Sequence, residues 1–214
     1  RDGRVTGVQT CALPILIAPT GSGKTLAAFL HAIDALLRER SRDEPVARSH
    51  KTRILYISPV KALAADVQRN LALPLAGVAA QRAELGEAEI TLEVGMRSGD
   101  TLSAERAKLQ RRPPDILITT PESLFLLLTS KARETLRGIS TVIIDEVHAV
   151  AGSKRGAHLA LSLERLDVLL AQPAQRIGLS ATVRPPEAVA AFLGGAGATR
   201  IVNPPAQRPL QLTI

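Results

Sequence analysis

Short uninterrupted apolar runs alternate along this chain with stretches in which apolar residues return every three or four positions. The runs are Ile15-Leu16-Ile17, Ile54-Leu55-Tyr56-Ile57, Ile116-Leu117-Ile118, Val142-Ile143-Ile144 and Ile177-Gly178-Leu179. Brief, continuous and rich in β-branched residues, they suit strands of a parallel sheet buried on both faces. Between them, Leu26, Phe29, Leu30, Ile33 and Leu37 fall at helical spacing. Leu63, Val67 and Leu71 share one helical face, and Leu159, Leu163, Leu166 and Leu170 share another. Strand and helix patterns in alternation predict βαβ crossovers. The expected fold is therefore α/β: a doubly wound, mostly parallel sheet with helices on both faces. Ligands of such sheets gather at the carboxyl ends of the strands, so the residues just after each run carry the chemistry.

Polar and proline-rich segments punctuate this pattern. Residues 38–53 are polar, hold Pro45 and read as an exposed loop, and Arg111-Arg112-Pro113-Pro114 ends a helix before the Ile116 run. The segment from Asn203-Pro204-Pro205 to Arg208-Pro209 reads as a linker, so residues 204–214 are expected to lead towards a further unit. The other end needs separate treatment. Val5 to Ile15 reads VTGVQTCALPI, which resembles a translated sequencing adapter. Residues 1–15 are accordingly expected to be a non-native scar, kept out of fold reasoning. Cys11 and Gln9 carry no functional weight for the same reason, and one domain is expected over residues 16–203.

The sharpest local pattern is Ala18-Pro19-Thr20-Gly21-Ser22-Gly23-Lys24-Thr25, set between the first apolar run and the first helical pattern. Gly21 and Gly23 let the backbone curl so that several N–H groups, from Thr20 through Thr25, converge on a phosphate. Lys24 adds a point charge for the β- and γ-phosphates, and the Thr25 hydroxyl is placed to ligate Mg²⁺. The following helix presents its N-terminus to the anion. Ala18 stands where the strict motif has glycine. Strand, loop and helix together predict binding of a nucleoside triphosphate, with ATP and Mg²⁺ as the expected cofactors.

Composition adds less. With 214 residues and 45% hydrophobic content the chain can bury a sizeable core, and with only 2% aromatics that core must be aliphatic. No apolar run approaches the roughly 20 residues that span a bilayer. A single cysteine makes no internal disulfide, and a cytoplasmic protein is the expectation. The net charge of +7 fits a polyanionic partner, although arginine supplies 21 of the 27 basic residues, as a GC-rich genome also would.

Two further clusters follow apolar runs. Thr141-Val142-Ile143-Ile144 ends in Asp145-Glu146-Val147-His148. Beside a phosphate loop, the first acid at such a strand end can hold Mg²⁺. Glu146 can polarise the water that attacks the γ-phosphate, and His148 would face whatever the protein moves along. Ser180-Ala181-Thr182 follows the next run and puts two hydroxyls at the same sheet edge.

The order of these clusters, with Ser58-Pro59-Val60-Lys61-Ala62-Leu63 and Thr119-Thr120-Pro121-Glu122 between them, resembles the first RecA-like lobe of superfamily 2 DExH helicases. More narrowly, Ala64-Ala65-Asp66-Val67-Gln68, Arg97-Ser98-Gly99-Asp100-Thr101, Arg112 to Ile118 and Ala151 to His158 are similar to the large helicase-related (Lhr) family, with Val60 and Ser98 where its pattern has Leu and Thr. The resemblance implies an ATP-dependent nucleic-acid helicase or translocase with catalytic Glu146, Lys24 and Asp145. It implies that Lys61, Arg97, Gly99, Asp100, Thr119, Thr120 and Glu122 line the track of a single strand of DNA or RNA, mostly at phosphates. His148, Ser180 and Thr182 would couple the ATP site to that track. It also implies a second RecA-like lobe bearing arginine fingers, so these residues alone are expected to hydrolyse ATP feebly. Lys154 and Arg155 could touch nucleic acid or merely start a helix, and His31, His50 and His158 are read as structural or exposed.

Two other classes fit a phosphate loop. A nucleotide-gated binding module would have no use for a catalytic Glu146, and a transporter-type or AAA-type ATPase would carry other signatures, such as a Leu-Ser-Gly-Gly-Gln run, which is lacking. The residues do not separate DNA from RNA, nor repair from recombination or RNA metabolism.

Overall fold

A computed structural model describes residues 13–42, 51–181, 183–194 and 199–204. Seven strands form one sheet: β1 (Leu13–Ile17), β2 (Ile54–Ile57), β3 (Val94–Arg97), β4 (Ile116–Thr119), β5 (Thr141–Ile144), β6 (Gln175–Ser180) and β7 (Thr199–Val202). Their order is β3-β4-β2-β5-β6-β1-β7, and every pairing is parallel. All the carboxyl ends therefore share one edge. The doubly wound α/β arrangement expected from the pattern is the one found.

Alternate residues of each strand feed different cores. Leu55, Ile57, Leu117, Val142 and Ile144 point to one face, where helices α5 (Pro121–Leu128), α6 (Val147–Val150), α7 (Lys154–Leu169) and α8 (Pro186–Gly194) cover them with Leu124, Val150, Leu163 and Val189. Ile54, Tyr56, Ile116, Ile118 and Ile143 point to the other. There α1 (Lys24–Arg42) and α2 (Lys61–Asn70) supply Phe29, Ile33, Ala64 and Val67. Two further helices, α3 (Ala72–Glu84) and α4 (Ser103–Arg111), and a 3₁₀ turn at Lys131–Leu136 complete the described elements. Among the described residues no helix is long and apolar enough to cross a membrane.

Several details differ from the pattern reading. The buried stripe of α1 is Ala28, Phe29, Ala32, Ile33, Leu36 and Leu37, while Leu26 and Leu30 lie at its exposed flank. Small alanines let the helix settle close to the sheet. In α2 Ala64 is buried ahead of Leu63, and Leu170 falls just past the end of α7. β1 begins at Leu13, inside the segment that resembles an adapter. Its pairing with β6 starts only at Ile15, so Pro14, which lacks an N–H, sits beside β7 alone. Strands β3 and β7 carry no apolar run, since each lies at a sheet margin with one neighbour.

One close approach fixes the helices behind β5. A Cβ at Gly156 would come 2.1 Å from the carbonyl oxygen of Val150. The bare glycine is what lets α7 turn back against the end of α6.

Candidate active site

The carboxyl edge of the sheet brings the sequence clusters together. Between β1 and α1 the backbone passes through Gly21 at φ 79° and Gly23 at φ 84°, in the left-handed region that side chains disfavour. Nothing lies within 4 Å of where a Cβ would stand at either position, so backbone conformation, and not crowding, requires glycine there. The loop is anchored at its start by the Ala18 N–H, which donates to the Ser180 carbonyl at 3.2 Å. Its end enters α1 where the Ala27 N–H meets the Gly23 carbonyl at 2.9 Å. Thr20, Gly21, Ser22 and Gly23 are exposed, and Thr25 is half-buried.

Lys24 is the exception in this loop. It is 8% exposed, and among the described residues it forms no ion pair. With most of its side chain packed away from water, such a lysine is well placed to receive an anion.

β5 delivers the acids. Asp145 is buried, accepting from the Glu146 N–H on Oδ1 at 2.8 Å and from the Tyr56 hydroxyl on Oδ2. Burial first, then the Asp145 carboxylate that accepts its proton, then Glu146, drives the Tyr56 pKa far above the ordinary phenol range, so Tyr56 is always a donor. Glu146 holds φ 46° and ψ 46° as the residue ahead of α6. A non-glycine residue in that conformation costs about 1 kcal/mol or more, offset in part by the Asp145 contact to its own N–H. The turn aims the two carboxylates differently. The Oε2 of Glu146 is buried and receives no hydrogen bond.

His148 and Ser180 close this side. The Nδ1 of His148 accepts from the Ala181 N–H at 3.3 Å and lies 3.2 Å from the Ser180 hydroxyl. The same nitrogen is 3.3 Å from Glu146 Oε2. Because its lone pair serves Ala181, the proton belongs on Nε2, which leaves Glu146 Oε2 facing an acceptor. That oxygen is an acceptor in want of a donor. Thr182 lies outside the described residues.

The fit to a triphosphate rests on these features: an open curl of amides, a buried lysine without a counter-charge, and an orphaned carboxylate oxygen. Thr25 and Asp145 are the oxygen donors on hand for a hard divalent ion.

Beyond β2 the edge changes character. Lys61, at the start of α2, pairs with Asp100 in the loop after β3. The Thr119 hydroxyl donates to the Arg97 carbonyl at 2.8 Å, and the Thr120 oxygen caps α5 by accepting from the Ser123 N–H at 3.4 Å. Both threonines are buried. Any strand passing here meets their backbone, not their hydroxyls. Glu122 is held by Arg155 of α7 through Oε1 at 2.5 Å and Oε2 at 3.0 Å, and that guanidinium keeps its carboxyl below the usual range. Arg155 is thus a partner of the Thr-Thr-Pro-Glu cluster. Burial, then the nearby Arg106 guanidinium, lowers the pKa of Arg97, a cation that gains from an anion. Gly99 is exposed and its carbonyl accepts from Arg106 at 2.7 Å.

Sequence reasoning passed over Tyr56. The available signal was the chain's single tyrosine set inside an otherwise aliphatic run, two residues before Ser58.

Comparison with known proteins bears on the same residues. A family model described as DEAD/DEAH box helicase matches residues 9–190, which takes in part of the adapter-like segment. The Lhr helicase/uracil glycosylase of Escherichia coli is 68% identical over 201 residues, covering 94% of this chain and 13% of that protein. The ATP-dependent helicase Lhr-Core of Methanothermobacter thermautotrophicus is 47% identical, covering 85% of this chain and 20% of its own length. The structure of Mycobacterium smegmatis helicase Lhr bound to ssDNA and AMP-PNP superposes with a TM-score of 0.82 at 60% identity, over 91% of this chain and 24% of that one. The chain therefore spans a small part of the relatives it matches.

Proposed function

This chain belongs to the DEAD/DEAH box helicase family, and from that premise we propose that it is the ATP-binding motor lobe of an Lhr-like, ATP-dependent nucleic-acid helicase or translocase. The observation that carries the proposal is Lys24: a largely buried lysine that forms no ion pair among the described residues, at the start of the helix that follows a curl of amides. Such a lysine is well placed to receive an anion, and a triphosphate supplies one.

In this reading the amides from Thr20 to Thr25 and the Lys24 ammonium hold the phosphates. Thr25 and Asp145 would hold Mg²⁺, which offsets phosphate charge when bound. Glu146 uses its free Oε2 to orient water and take its proton, as the water oxygen bonds to the γ-phosphorus and the bond to the β-phosphate oxygen breaks. The hydrogen-bonded set of His148, Ser180 and the Ala181 amide lies where it would sense that step, and Thr182 belongs to the same proposal. Lys61, Arg97, Gly99, Asp100, Thr119, Thr120, Glu122 and Arg155 form the rim that grips a single strand at its phosphates, as in a relative whose structure is described as bound to ssDNA. A second lobe would supply the positive charge needed at the transition state, so turnover by these residues alone is slow. A cytoplasmic setting is part of the same proposal.

The test is titration of this chain with a fluorescent ATP analogue and Mg²⁺, alongside Lys24→Ala. Saturable binding that Lys24→Ala abolishes is expected. A folded chain that ignores nucleotide, or a variant that binds as the parent does, overturns the reading.

A further inference from the structure

We propose that Tyr56 is a positioning residue for Asp145: it fixes the orientation of that carboxylate and ties it, through Phe29, to the helix that starts at the phosphate loop. The inference rests on the preceding reading, in which Asp145 serves Mg²⁺.

Each Asp145 oxygen is committed to one donor, Oδ1 to the Glu146 N–H at 2.8 Å and Oδ2 to the Tyr56 hydroxyl. A carboxylate oxygen has a second acceptor position. Turning the group to aim those positions elsewhere breaks one of the two hydrogen bonds. The Tyr56 side chain is itself locked. It is fully buried in β2, and its ring stacks on Phe29 with centroids 5.1 Å apart and 27° between planes. Phe29 is on α1, one turn beyond Thr25. Tyr56 and Phe29 therefore join Asp145 to the helix that carries Thr25 by a route that does not pass through the ligand.

The choice of residue type supports this. An interior strand position among Leu55, Ile57 and Ile143 calls for an apolar side chain, and a buried hydroxyl there is destabilising when unpartnered. Here the hydroxyl is satisfied, and by a charged acceptor, the stronger kind of hydrogen bond.

The test compares this chain with its Tyr56→Phe and Phe29→Leu variants. Far-UV circular dichroism and thermal melting establish that each folds. Binding of a fluorescent, non-hydrolysable ATP analogue is then followed as Mg²⁺ is raised from zero. Loss of an outer partner of a metal-holding group costs about 10–100-fold in metal affinity. Half-saturating Mg²⁺ should therefore rise about tenfold in Tyr56→Phe, and by less in Phe29→Leu, with metal-free binding unchanged in both. If the parent responds to Mg²⁺ and Tyr56→Phe responds identically, or loses affinity equally with and without metal, the positioning role is overturned while the nucleotide reading stands. If the parent binds no nucleotide with or without Mg²⁺, the nucleotide reading itself fails; if it binds but ignores Mg²⁺, the metal role of Asp145 and this inference fall together. Should Tyr56→Phe not fold, Phe29→Leu, which keeps the hydroxyl, decides: an unshifted Mg²⁺ midpoint overturns the inference.

Discussion

The two halves of the sheet edge treat charge in opposite ways. At the ends of β1 and β5, polar side chains are largely buried and left incomplete: among the described residues Lys24 has no counter-charge and Glu146 Oε2 has no donor. At the ends of β2, β3 and β4, the charges lie mostly exposed, and several are already matched, Lys61 with Asp100 and Glu122 with Arg155. The first half, on the proposed reading, would be a receptor completed by groups from outside. The second, on the same reading, would be a surface that gives up internal ion pairs on taking a partner. Exposed ion pairs contribute little to stability, so exchanging them costs little. A strand gripped and released repeatedly would be well served by such weak pairs, whereas a nucleotide held through bond breaking would need fixed donors.

That contrast can be broken in graded ways. The largest effect is expected at the incomplete half. Lys24→Ala should lower nucleotide affinity about a hundredfold or more, since truncating one member of a buried charge pair costs about 2–5 kcal/mol. In a chain that includes the second lobe, Glu146→Gln should cut ATP turnover by about 10²–10⁴-fold while nucleotide still binds, and a pure binding module would be indifferent. Next comes Gly23→Ala. Its methyl meets nothing, yet φ 84° makes the left-handed conformation cost about 1–2 kcal/mol. The expected result is a melting point lower by a few degrees and clearly weakened nucleotide binding. An unchanged affinity would mean that the curl does not hold phosphate.

At the matched half, Lys61→Ala should weaken single-strand binding regardless of sequence and reduce the salt dependence by about one counterion. Nucleotide affinity should not move. If it did, the two halves would not be separate. Smallest is Glu122→Gln. Arg155 holds the Glu122 pKa down in the folded state, so the pair stabilises above the ordinary carboxylate range and its contribution is lost as pH falls through the depressed value. The variant should be less stable by a few tenths of a kcal/mol near neutral pH, with its Glu122-dependent share of acid destabilisation gone. Chemical denaturation at several pH values checks this.

Legibility in the sequence followed the same division. Strands with neighbours on both sides carry an apolar run at their centre, and β2 was readable to the residue, from Ile54 to Ile57. β3 and β7 were not readable, because a margin strand such as Val94-Gly95-Met96-Arg97 can carry glycine and arginine at little cost. The phosphate loop and the Asp145-Glu146 pair are local in sequence, so spacing alone exposed them. The tie from Tyr56 to Asp145 spans 89 positions, and the tie from Arg155 to Glu122 spans 33. Neither leaves a trace in spacing. Thr119 and Thr120 show the converse limit: the sequence names two hydroxyls at the edge, but the fold turns both inward.

Gly156 sits where the ends of α6 and α7 meet. With the Val150 carbonyl lodged against its Cα, a methyl at this position would act as a wedge, prising apart the short segment that bears His148 and the longer one that bears Arg155. A single carbon placed there would disturb both segments at once, one of them holding His148, eight positions away in the chain.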